Sequence, residues 1–162
     1  MAGIVIRRER PDQPDVAAAL AALDAYLGSL YAPEANHILS VEALLAPEVD
    51  FFTARDAAGA LVGTGAVRRM PGGPETCGLA YGEIKRMYVD PAHRGQRIGV
   101  CLVQTLETSL REQGIDLALL ETGRDQHQAV RLYERAGYMQ RAAFGGYPDN
   151  GLSVFYEKRL GP

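Results

Sequence analysis

Hydrophobic positions along this chain follow two rhythms. Val16, Leu20, Leu23, Leu27 and Leu30 recur at steps of four and three, which lays one apolar stripe along a helix and puts Asp15 where it can cap or charge the start. Before it, Ile4, Val5 and Ile6 form a β-branched run inside residues 3–8 and predict a first strand. Residues 31–40 are mixed in polarity and hold a proline, so a loop able to face a ligand is expected there. A short helical piece follows at 41–45 and stops before Pro47. Residues 51–55 and 60–69 are strand-like runs joined through Asp56, Ala57, Ala58 and Gly59, a hairpin with its turn at the glycine. A loop with four glycines and two prolines fills 70–82.

The second half alternates strand and helix. A strand is predicted over 83–89, a helix over 95–113 and a strand over 115–122, whose run Leu117, Ala118, Leu119, Leu120 is apolar on both faces and belongs inside a sheet. Ile98, Leu102, Leu106 and Leu110 step by four, so the helix packs one face on that sheet and completes a right-handed βαβ unit with parallel strands. Residues 126–136 form another amphipathic helix, with Ala129, Leu132, Tyr133 and Ala136 on one side and Gly137 as its stop. Two closing strands are predicted at 138–142 and 152–158.

Composition narrows the class without naming a function. The 162 residues suit one domain spanning 1–162, and 47% hydrophobic with 23% charged residues is the balance of a globular protein. Cys77 and Cys101 are the two cysteines; they lack zinc spacing and make no disulfide scaffold, so both are read as reduced. No secretory signal and no stretch of transmembrane length is apparent, which leaves the cytoplasm as the expected location and no membrane partner. A net charge of −3 removes the broad positive field of a nucleic-acid binder.

Chemistry concentrates in residues 87–99, which run from strand through turn to helix. The first amides of a helix lack intrahelical partners and its dipole is positive there, so a diphosphate can accept several hydrogen bonds from the backbone. Gly95 lets the chain turn, Gly99 lets a ligand approach the helix, and Arg94 and Arg97 add charge.

This stretch resembles the acetyl-CoA signature of the GNAT superfamily of N-acetyltransferases: Arg or Gln, two residues, Gly, one residue, Gly or Ala. Arg94 and Gly99 fill the outer positions; Arg97 stands where the family most often has its inner glycine, and either blocks or clamps the phosphates, its charge favouring a clamp. Residues 125–138 resemble the family's later helix, usually written Asn, two residues, Ala, two residues, Leu-Tyr, then Gly-Phe or Gly-Tyr, with Gln126 in place of the Asn. The likeness extends over about residues 4–160. It implies an α/β (α+β) fold: a mixed, mostly antiparallel sheet of about seven strands, a parallel βαβ pair at its centre, and about four helices over both faces. It also implies an acetyl-CoA-dependent N-acetyltransferase that acts on a small-molecule amine by direct transfer in a ternary complex, with no metal.

The resemblance assigns roles residue by residue. Met87, Tyr88 and Val89 would pair with the pantetheine arm, Gln96, Arg97, Ile98, Gly99 and Val100 would hold the diphosphate, and Gln126 would adjoin the cofactor. Tyr133 is the expected acid for the thiolate and Glu83 the expected base, with solvent as an alternative base. Tyr31, Glu34, Asn36 and His37 fall in the loop that shapes the family's acceptor pocket. Lys85, Arg86 and Arg124 could serve an acceptor bearing carboxylate or phosphate, or be surface charge. Residues 29–37, 120–123 and 144–147 resemble a bacterial branch of acetyltransferases of undefined acceptor. Protein or peptide acetylation and a non-catalytic acyl-CoA sensor stay open as alternatives. A homodimer through the closing strands is also compatible.

Overall fold

The computed structural model of the chain describes residues 3–32 and 37–161. Its strands are β1 (Val5–Arg8), β2 (Val49–Arg55), β3 (Leu61–Met70), β4 (Tyr81–Val89), β5 (Leu117–Gly123), β6 (Met139–Arg141) and β7 (Ser153–Arg159). They form one sheet in the order β1-β2-β3-β4-β5-β7-β6, antiparallel throughout except for the parallel pair β4–β5. The helices are α1 (Pro14–Leu30), α2 (Val41–Leu44), α3 (Ile98–Glu112) and α4 (His127–Arg135). Mixed class, strand number, central parallel pair and helix count all match the expectation.

Alternation along the strands sorts the helices to the two faces. Ala66 of β3 packs with Val16 and Leu20 of α1 and with Leu44 of α2, whereas its neighbour Val67 packs with Leu106 and Leu110 of α3 and with Tyr133 of α4. Ile98, Leu102, Leu106 and Leu110 are at most 1% exposed, so the stripe of fours buries its whole length, worth about 1.5–3 kcal/mol per side chain. Asp50, fully buried, ties β2 to α3 by accepting hydrogen bonds from Ser109 Oγ and Gln113 Nε2, both at 2.8 Å, while Arg8 and Arg69 balance its charge.

The hairpin forms as expected, because Asp56 Oδ1 accepts from the amides of Ala58 and Ala60 at 2.9 Å and Gly59 takes φ +86°. Of the two roles open to Asp15, it charges the first turn of α1 and does not cap it: Gln13 occupies the cap position without a side-chain bond, and Asp15 pairs with Arg55 at 2.7 Å. Two expectations need correction. Strands β2 and β4 begin two residues earlier than their apolar runs, since Val49–Asp50 and Tyr81–Gly82 find partners in β3. Helix α3 begins at Ile98, three residues later than expected. Gly95 at φ +86° and Arg97 at φ +63° are left-handed and cannot continue a right-handed helix, and residues 91–93 form a short 3-10 turn instead.

Candidate active site

The site follows from how β4 meets β5. The two strands pair only at Gly82–Ala118 and Glu83–Leu119, then diverge, so the β4 backbone beyond Glu83 has no strand partner on that side. A cleft of about 1290 Å³ occupies the gap. It opens at the carboxyl ends of parallel strands, where such sheets admit ligands.

A bulge shapes the β4 wall. Between Thr64 and Ala66 of β3 the register slips, and Arg86 takes φ +57°. The extra residue leaves the side chains of both Lys85 and Arg86 on the α1 face, and it returns Met87 and Val89 to the α3 face, where they pack on the cluster around Leu102. The Thr64 hydroxyl donates to the Arg86 carbonyl at 2.9 Å and satisfies part of the broken ladder.

At the α3 end, Arg94, Gly95, Arg97, Ile98, Gly99 and Val100 line the cleft with Met87, Tyr88, Val89 and Gln126. The first intrahelical bond of α3 runs from Cys101 N to Arg97 O, so the amides of Ile98, Gly99 and Val100 carry no helical partner and sit at the positive end of a 15-residue helix. Ten of the eleven residues expected to hold the cofactor therefore border one cavity. Gln96 is exposed and does not line it. Gly99 has a packing role as well: a Cβ there would lie 3.2 Å from Leu132 Cδ2 of α4, so its small size lets α4 close on α3.

Tyr133, 5% exposed, lines the same cleft, and no described residue bonds its hydroxyl. Burial alone pushes the phenol well above its ordinary range. Glu83, by contrast, does not line the cleft. Its carboxylate accepts from the Tyr147 hydroxyl at 2.5 Å and from Lys85 Nζ at 3.4 Å. The sequence reading missed Glu121 as a candidate acid–base group. It lies on β5 facing the cleft and accepts from Ser153 Oγ at 2.5 Å, and burial raises its carboxyl against the opposing pull of that bond. Its only sequence signal is a lone carboxylate at the end of an apolar strand.

Tyr31 and His37 border the α1 end of the cleft. The Tyr31 oxygen accepts from Asp125 N at 3.2 Å above Gly123, and the His37 ring stands edge-on to Tyr147 at 5.0 Å. Glu34 and Asn36 lie outside the described residues. Arg86 corrects its expected role: its guanidinium pairs with Asp24 of α1 and donates from Nε to the Leu39 carbonyl at 2.9 Å, which leaves it closing the wall rather than free for an acceptor. Lys85 is likewise engaged, by the His37 carbonyl and the Tyr147 hydroxyl, and Arg124 is exposed outside the cleft. Among the described residues no three metal-ligating side chains gather, and no helix is long and apolar enough to cross a membrane.

A split parallel pair beside an open helix N-terminus frames the cleft, and comparison with known proteins identifies the class of protein that carries it. The family model for the acetyltransferase (GNAT) family matches residues 18–138, and the chain belongs to that family of acyltransferases. It is 40% identical to an IAA acetyltransferase of Azospirillum brasilense over 99% of this chain and all of the relative. It is 29% identical to the uncharacterized N-acetyltransferase YsnE of Bacillus subtilis, over 79% of this chain and 81% of that one. A Klebsiella pneumoniae protein provisionally named an acyl-CoA N-acyltransferase superposes with a TM-score of 0.80 at 36% identity, over 99% of this chain and all of that one. An aminoglycoside 6'-N-acetyltransferase solved with coenzyme A shares the fold, with a TM-score of 0.69 at 19% identity over 98% of each chain.

Proposed function

We propose that the protein transfers an acetyl group from acetyl-CoA to the amine of a small molecule, directly, with both substrates bound. The observation that carries this reading is the gap between β4 and β5, which opens beside the unpaired amides of α3 and runs from the α3 face to the α1 face. The residues present fit the co-substrate. Unpaired β4 amides suit the extended pantetheine arm, and the amides of residues 98–100 with Arg94 and Arg97 suit a diphosphate. Tyr133 leaves an unpartnered hydroxyl deep in the cleft. Acetyl-CoA supplies the activated acyl carbon.

Glu121 takes a proton from the acceptor ammonium, directly or through water, because its raised carboxyl is a better base than an ordinary one. The freed nitrogen forms the C–N bond as the C–S bond breaks. Tyr133 holds its proton at working pH and donates to the departing sulfur. A phenol near 10 is already a weaker acid than a thiol near 8.5, and burial moves it further from acidity, so it delivers that proton only as sulfur charge develops. A second proton leaves nitrogen as the amide forms and passes to the Tyr133 oxygen, replacing the one lent to sulfur, so the product keeps one N–H and the first proton stays on Glu121. Glu83 positions Tyr147 and Lys85 behind this centre.

Walls from α1, residues 37–39 and residues 152–153 surround the acceptor end, which suits a small molecule better than a polypeptide. The cytoplasm, where acetyl-CoA is made and Cys77 and Cys101 stay as thiols, is the setting we assign. The open edge at β6, with Met139 74% exposed, is where a second copy would pair; light scattering decides that point. The function is tested by calorimetry with CoA and by thiol release from acetyl-CoA in the presence of amines. Absence of CoA binding by folded protein would end the reading.

A further inference from the structure

The α1 end of the cleft combines exposed apolar side chains with the carboxylate of Glu121. Helix α1 is apolar on two sides. Val16 and Leu20 are buried against the sheet, whereas Leu23, Tyr26 and Leu27 line the cleft. Tyr26 is 50% exposed, and Ile38 and Leu152, also in the lining, are 36% and 45% exposed. Three of the large exposed apolar side chains thus border one opening, a grouping that single scattered surface residues do not produce and that marks a place where apolar surface is covered on binding.

Charge on that wall is asymmetric. Glu121 presents a carboxylate to the cleft with one hydrogen-bond donor, Ser153. The two cations on the same face are spent, Lys85 on His37, Tyr147 and Glu83, and Arg86 on Asp24 and Leu39. Of the other basic side chains lining the cleft, His93, Arg94, Arg97, His127, Arg131 and Arg135 belong to the α3 and α4 end, and His37, edge-on to Tyr147, stands at the α1 end. Burying an acceptor carboxylate or phosphate on the α1 face would therefore set it beside Glu121 with His37 as its one basic neighbour not already spent among the described residues, at high cost.

Resting on the acetyltransferase reading above, we infer that the acceptor is a small monoamine whose single ammonium meets Glu121 and whose apolar or aromatic body lies between Tyr26, Ile38 and Leu152. The geometry disfavours amino acids, phosphorylated amines and sugars alike. Among the described residues of that face anionic groups find no uncommitted Lys or Arg, and polyhydroxyl bodies would strip water from an apolar wall for few hydrogen bonds.

The test measures kcat/KM with acetyl-CoA for 2-phenylethylamine, hexylamine, phenylalanine, ethanolamine, spermidine and glucosamine. Phenylethylamine and hexylamine are expected to exceed the other four by at least about tenfold, the scale of burying a small apolar group. Tyr26→Ala is expected to raise KM for phenylethylamine about three- to tenfold at unchanged kcat, and because Tyr26 is half exposed the variant should fold. Equal or better turnover of phenylalanine, spermidine or glucosamine overturns the inference while leaving acetyl transfer intact, as does CoA binding without transfer to either apolar amine. Loss of CoA binding altogether instead removes the underlying function.

Discussion

The Glu121 carboxylate accepts the Ser153 hydroxyl at 2.5 Å across the β5–β7 pair, two positions out of register, because Glu121 faces Phe155 and Ser153 faces Gly123. This diagonal contact is what β-sheet neighbours on one face allow. It fixes one oxygen of the only carboxylate that the β5 strand turns into the cleft.

If Glu121 is the base, Glu121→Gln lowers kcat by about 10²–10⁴ and leaves CoA affinity within about twofold. A base works only when deprotonated, so wild-type activity falls as pH drops through its raised pKa, and the variant loses that acidic limb. Ser153→Ala removes the bond that pulls the carboxyl down, so its limb moves to higher pH. Initial rates across pH 5–9 check both.

Glu83→Gln separates position from chemistry. Its carboxylate bonds Tyr147 and Lys85 and does not line the cleft, so substitution is expected to cost about 1–3 kcal/mol of stability. The acidic limb of the rate profile should stay where it is. Urea melts and the pH profile together distinguish this from a base.

Tyr133→Phe should lower kcat about 10- to 100-fold with little change in KM for acetyl-CoA. Because no described residue bonds the hydroxyl, its removal orphans nothing, and Tm should shift by less than about 2 °C. Single-turnover kinetics with pre-bound acetyl-CoA isolate the step.

Arg97 sits at φ +63°, a conformation costing a non-glycine residue about 1–2 kcal/mol. Arg97→Gly should therefore raise Tm by about 2–4 °C while weakening CoA binding several-fold through the lost charge. Scanning calorimetry and titration calorimetry would read the two effects in opposite directions.

Glu9 gives a pH dependence unrelated to the site. Arg55 holds its carboxyl at about 2 against an ordinary 4.5. The unfolded chain takes up this proton first as pH falls, so the stabilisation is complete above 4.5 and is lost on descending toward 2. Glu9→Gln should cost about 1–2 kcal/mol at neutral pH, with denaturation curves of variant and wild type converging in acid.

The amino-acid sequence alone determined the order and kind of the elements, since periodicities of two and of three to four residues are local properties. The strand–turn–helix at residues 87–99 was legible for the same reason, and so was Tyr133 on its amphipathic helix. Tertiary structure decided which carboxylate meets the cleft. Glu83 and Glu121 both point to the α1 face, yet the strands part after Glu83, so only the later residue reaches open space. The bulge at Arg86 likewise turned two neighbouring cations toward α1, where Asp24 and the 37–39 segment occupy them. Strand divergence and register slips arise from contacts between residues tens of positions apart, and no window of local sequence contains both partners.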